Sequence, residues 1–218
     1  EWTHFNINET ESVEEGELTE EKDNGLINIK YRFTMDPTLS KRLNMTEGAE
    51  MRGNFNVYWE GDIDNGGEGN CNNDCEYLNI TVYRGPNKVF QHTEQPWPAG
   101  NWKNVVFSYS MTEEDGHLVW DSSNDNPVIE VTMKVKGDRT TGLFGLPQGD
   151  AAAFGFKLGE DARLELPIDE STWNEKFQAG MDDSMPTEDV PGFTLVVASS
   201  AIAMAVFVNV GKEEEDEA

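Results

Sequence analysis

The chain is poor in cysteine, in basic residues and in histidine, and it has no long apolar run before Phe193. Sixteen Lys and Arg face 42 Asp and Glu, for a formal net charge of −26. Such a surface repels phosphate backbones and anionic headgroups, so nucleic acid is excluded as a partner. The three histidines, His4, His92 and His117, flank the two cysteines at no zinc-type spacing. Gly-x-Ser-x-Gly, His-Glu-x-x-His and glycine-rich phosphate motifs are missing, and carboxylates are too abundant to single out an acid–base pair. No catalysis is expected. Helical periodicity with caps is also absent before Ser171.

What is present is strand after strand. Ile27, Ile29, Tyr31, Phe33 and Met35 alternate with Asn28, Lys30, Arg32 and Thr34, the period of two that marks a sheet with one dry face. The same alternation recurs through Phe55–Val57–Trp59, Leu78–Ile80–Val82, Val105–Phe107–Tyr109–Met111, Ile129–Val131–Met133–Val135, Phe154–Phe156–Leu158 and Leu164–Leu166–Ile168. Gly-, Asn- and Pro-rich punctuation separates the runs. Roughly eight to ten strands without intervening helices predict an all-β antiparallel β-sandwich or jelly roll over residues 1–170. Residues 171–190 turn small, polar and acidic and read as a stalk, with Trp173 to Phe177 able to dock back on the domain.

Cys71 and Cys75 lie in Cys-Asn-Asn-Asp-Cys, a spacing that suits a disulfide and an oxidising compartment; two free thiols or half a zinc site are the alternatives. Three Asn-x-Thr sequons, at Asn8, Asn44 and Asn79, point outside the cell as well. Asn79 falls on the polar phase of its strand, so a glycan there is expected to face solvent. The loop over residues 61–76 clusters Asp62, Asp64 and Glu68 on a glycine-rich backbone, hard oxygen ligands of the kind Ca²⁺ takes. The other reading is a long solvated hairpin loop pinned by the cysteines. Trp59, Tyr58, Tyr83, Trp97 and Trp102, in or beside loops and strand ends, raise carbohydrate stacking as a function. Tyr58 and Tyr83 take the outward phase, Trp59 the inward one, and Trp97, between two prolines, reads as the surface platform.

The C-terminus is different in kind. Phe193 to Val210 run without a charge and as a helix would span about 27 Å, near the thickness of a bilayer core. Pro191-Gly192-Phe193, after an acidic linker and directly before that run, resembles the PGF-type C-terminal sorting signal of archaeal cell-surface proteins. The resemblance covers residue 191 to the end and implies recognition by a membrane-bound sorting protease, removal of the tail and attachment to a lipid anchor. The segments read as sorting motif and transmembrane helix over 191–211 and acidic tail over 212–218, where the family's tail normally ends in a basic cluster. The expectation is a β-sandwich held at the extracellular face of the membrane, with a binding, adhesion or envelope-structural role toward a glycan or protein ligand. The alternative is a C-terminal accessory module, binding carbohydrate or substrate, of a larger secreted hydrolase that begins upstream of Glu1.

Overall fold

Period-two patterning folds into two antiparallel sheets with their apolar phases turned toward each other. The structure, a computed structural model, describes residues 4–6, 16–64, 71–122, 124–159 and 162–179. Its strands are β1 (His4–Asn6), β2 (Glu17–Lys22), β3 (Asn24–Asp36), β4 (Leu43–Asn44), β5 (Glu50–Glu60), β6 (Glu76–Arg84), β7 (Asn87–Thr93), β8 (Asn101–Ser110), β9 (Val119–Trp120), β10 (Pro127–Asp138), β11 (Thr140–Thr141), β12 (Pro147–Gln148), β13 (Ala152–Lys157) and β14 (Arg163–Glu165). The first sheet runs β1-β3-β10-β6-β7. In the second, β5 is central: β8 pairs along one side, while β14 and β13 share the other and β2 lies outside β13.

Ile29, Phe33, Ile80, Val131 and Met133 of the first sheet meet Phe55, Val57, Phe107, Phe154 and Phe156 of the second, all buried. Phe33 stacks on Phe156 at 5.4 Å between centroids, and Phe55 on Phe107 at 6.0 Å. Each such side chain contributes about 1.5–3 kcal/mol by leaving water. Polar clasps close both edges of the sandwich. On one, Tyr31 donates to Glu20 at 3.0 Å. On the other, Glu94 holds Lys103 of β8 and His92 of β7, each at 2.9 Å.

The loop following β5 is a crossover and not the expected hairpin, because β5 belongs to the second sheet and β6 to the first. At its start Asp62 and Lys136 exchange backbone bonds of 2.8 and 2.9 Å. Gly61 permits that approach: it sits at φ 108°, and a Cβ there would lie 2.7 Å from the Lys136 carbonyl oxygen. The β11–β12 hairpin likewise lies between β10 and β13 as the chain passes from sheet to sheet.

The folded domain extends past residue 170. A 3-10 turn (Glu170–Trp173) and α1 (Glu175–Gln178) are capped by Asp169 and Asn174, whose side chains accept from Ser171 N–H and Lys176 N–H. Thr172 is fully buried and exchanges bonds of 2.9 and 3.1 Å with the Asn44 backbone. Gln178 does the same for Arg42, accepting at 3.1 Å and donating at 2.8 Å. Residues 171–179, expected in the stalk, therefore pack on the domain. Side-chain and backbone hydrogen bonds hold them there, and such bonds leave no apolar period in a sequence. Among the described residues no helix is long and apolar enough to cross a membrane. The run from Phe193 to Val210 lies outside them, as do Asn8, Glu68 and Pro191-Gly192-Phe193.

Candidate functional site

The outer face of the second sheet carries a shallow groove of about 270 Å³ lined by Glu17, Thr19, Glu20 and Glu21 of β2, Tyr58 of β5, Trp102 of β8, and Ala153, Phe154 and Gly155 of β13. Register assembles it. Tyr58 lies opposite Trp102 on one side and Gly155 on the other, and Gly155 lies opposite Thr19. The Trp102 indole extends across the sheet until its rim reaches Gly155, where a Cβ would stand 2.9 Å from the Cη2 atom. Glycine at that position makes room for the ring.

Trp102 keeps 38% of its surface exposed. It packs against Tyr58 at 5.5 Å between centroids and 44° between planes, and the Lys157 ammonium stands 4.9 Å from its ring centre. Tyr58 donates to Glu60 at 2.7 Å. That bond, followed by burial, pushes the phenol up to about 12, so the hydroxyl stays protonated across the physiological range. The β5 positions that follow on the same face are Asn56 and Asn54, paired with Asn104 and Val106 of β8. The side-chain oxygens of Asn54 and Asn56 are buried and, among the described residues, accept no hydrogen bond. An acceptor in that state is costly unless a donor reaches it. Ring faces and unused acceptors thus lie along one strand, about 13 Å from Tyr58 to Asn54 at strand rise.

The other predicted site residues lie elsewhere. Trp97 is buried, at 9% exposure, and is no surface platform. Its indole meets Trp59 edge-on at 6.0 Å, and its N–H donates to the Asn101 carbonyl at 2.8 Å. The flanking prolines fold the loop inward, with Trp97 as its plug. Tyr83 is on the outer face of the first sheet, where the Arg32 guanidinium covers its ring at 5.0 Å and its hydroxyl donates to Glu130 at 3.2 Å. Asn79 is buried, contrary to the expected solvent-facing glycan site. Its amide nitrogen donates to Glu76 and the Tyr77 carbonyl, and its oxygen accepts from Gln91 and Thr93. A glycan at that nitrogen would leave it a single N–H and so remove one of the first two bonds. The Asn44 amide nitrogen is also engaged, donating to Ser171 at 2.8 Å.

Cys71 and Cys75 form the disulfide, with Cα atoms 5.4 Å apart. Asp62 is held in the bridge to Lys136, and Asp64 follows it. Among the described residues no group of three or more His, Cys, Asp or Glu is arranged to hold a metal ion. Sequence reasoning counted Trp102 among the aromatics near loops without choosing it, and passed over Asn54, Asn56 and Gly155. Trp102 was within reach, since the alternation through Val105 and Phe107, carried back three residues, turns it outward.

No family model and no curated protein matches the chain. Remote likenesses to solved structures exist. One, described as "CBM4 structure and function", is 12% identical with a TM-score of 0.29, covering 68% of this chain and 77% of that one. Another is the infectious bursal disease virus Gx strain, at 11% identity and a TM-score of 0.28, covering 66% of this chain and 31% of that one. The VP2 subviral particle of the same virus gives 7% identity and 0.26, covering 71% of this chain and 36% of that one. Likenesses this distant carry nothing for function.

Proposed function

We propose that the chain is a non-catalytic binding module displayed at the outer face of a cell membrane. Its second sheet receives a carbohydrate along β5 and β8. One observation carries the ligand class: the exposed Tyr58–Trp102 pair lines a shallow groove beside Glu17 and Glu21 of β2. A sugar offers an apolar ring face for stacking on Trp102 and hydroxyl donors for the carboxylates that line the groove. The glutamates lining the groove repel uronic or sulfated sugars, so the ligand is a neutral or amino sugar. Display at the membrane rests on the uncharged run over Phe193 to Val210 and the Pro-Gly-Phe tripeptide before it.

The test is titration of the full chain against neutral glucan, xylan, mannan and chitin oligosaccharides, followed by calorimetry. Binding should appear for at least one, weaken at least about tenfold in Trp102→Ala, and survive in Tyr83→Ala. Failure of all four classes to bind, or binding indifferent to Trp102→Ala, would remove the reading.

A further inference from the structure

The β11–β12 hairpin ends in an apolar tip that stands exposed among the described residues. Phe144 is 96% exposed and Leu146 is 65% exposed. The tip is a built turn: Gly142 N–H donates to the Leu146 carbonyl at 2.7 Å, and Phe144 and Gly145 take φ values of 72° and 76°. Two successive positive φ angles favour Asn-Gly or Gly-Gly, and a bulky residue there is a genuine outlier. The chain nevertheless places phenylalanine in the strained position and points it outward. Residues 140–149 are, in addition, the longest uncharged stretch before residue 191, in a protein with 27% charged residues.

We propose that this tip inserts into the interfacial layer of a lipid bilayer. A hairpin end bearing Phe and Leu, free of acids and next to Arg139, is chemically suited to that layer. A protein partner of comparable chemistry would need an apolar pocket, whereas a bilayer accepts a protruding ring of any shape. The chain's own membrane is within reach. Residues 180–192, extended, span at most about 45 Å, against a radius of gyration of about 16 Å for a domain of this size. Any face of the domain, this one included, can therefore turn toward a membrane that holds the C-terminal run. The proposal rests on the display reading only for delivery to the bilayer; the tip's own chemistry is independent of it.

The experiment uses the full chain with Phe144→Cys labelled by an environment-sensitive NBD dye, and Glu113→Cys as the control at another exposed turn. The native cysteines are paired and do not react. Each is mixed with phosphatidylcholine vesicles and scored by flotation and by emission. A blue shift at position 144 alone, in the floated protein, supports insertion. Flotation without that shift overturns insertion and leaves membrane display standing. No flotation and no shift overturns both. A shift without lipid that grows with protein concentration assigns the tip to a second copy, and one without lipid that is independent of concentration assigns it to the chain's own apolar run; either overturns the proposal. Phe144→Gly supplies the second readout: it should raise the melting temperature, because glycine accepts the turn, while Leu146→Cys labelled in that background loses its shift. A tip with a purely structural role would not couple a gain in stability to a loss of lipid contact.

Discussion

Tyr83 and Tyr58 sit on opposite outer faces of the sandwich, each with its hydroxyl donated to a glutamate, and there the similarity stops. Around Tyr83 every polar group is used: Arg32 covers the ring, Glu130 takes the hydroxyl and pairs with Arg32 and Lys30, and Asn79 spends both ends of its amide within the protein. Around Tyr58 the ring meets an exposed Trp102, and two amide oxygens on the same strand have no donor among the described residues. One face is covered by its own side chains, and the other keeps an exposed ring pair. Burial of polar groups without partners is tolerated where binding supplies them.

That contrast can be broken or sharpened in several ways. The largest effect is expected within the tryptophans. Trp97→Ala should cost about 3–5 kcal/mol in chemical denaturation, because a buried ring leaves a cavity. Trp102→Ala should cost under about 1 kcal/mol and act on ligand affinity instead. A Trp102 variant as unstable as the Trp97 one would make the groove a piece of core. Next come the asparagines. Asn79→Ala strands the Gln91 and Thr93 donors and should destabilise by about 1–3 kcal/mol, whereas Asn56→Ala, deleting an acceptor with nothing to lose, should lie within about 0.5 kcal/mol. Equal losses would mean that the second face is satisfied after all. Glu130→Gln should cost at most about 1 kcal/mol, shrinking as salt is added, since its cationic partners are exposed.

The smallest effect concerns the clasp between the sheets. Burial works to raise the Glu94 carboxyl, but hydrogen bonds from His92 and Lys103 hold it below its ordinary value. A depressed carboxylate lends stability in full above its unfolded value of 4.5 and loses it as pH falls through the folded one. Glu94→Gln should therefore melt earlier than the unaltered chain near about pH 7, with the difference closing by about pH 3. A gap that persists in acid would show that the clasp acts by shape rather than charge.

Strand identity was plain from alternation, because the inner face excludes polar residues along β3, β5, β8 and β10 alike. What alternation cannot give is which strand lies beside which. Asn79 and Thr81 follow the outward phase, yet β6 is central and β7 and β10 flank it, so both are buried. The groove is hidden for the same reason: Tyr58, Trp102, Gly155 and Thr19 come from four strands, and only the pairing register aligns them. Trp97 misled because two prolines signal a loop but not the direction in which its side chain turns. In the sequence, docking of Trp173 to Phe177 stands open beside the stalk, and Thr172 and Gln178, which secure it, work through paired hydrogen bonds that leave no period in a sequence.

Those last bonds have a mechanical consequence. The chain leaves the described domain at Ala179, immediately after Gln178, whose side chain bridges to Arg42 beside β4. A pull transmitted through the C-terminus meets that bridge first and the Thr172–Asn44 pair next, before any strand of either sheet bears load. These few bonds can open in sequence and close again, paying out the segment beyond the capping Asp169 while the four strands that line the groove keep their shape. A chain end joined this way absorbs a tug at its root and spares the sheets behind it.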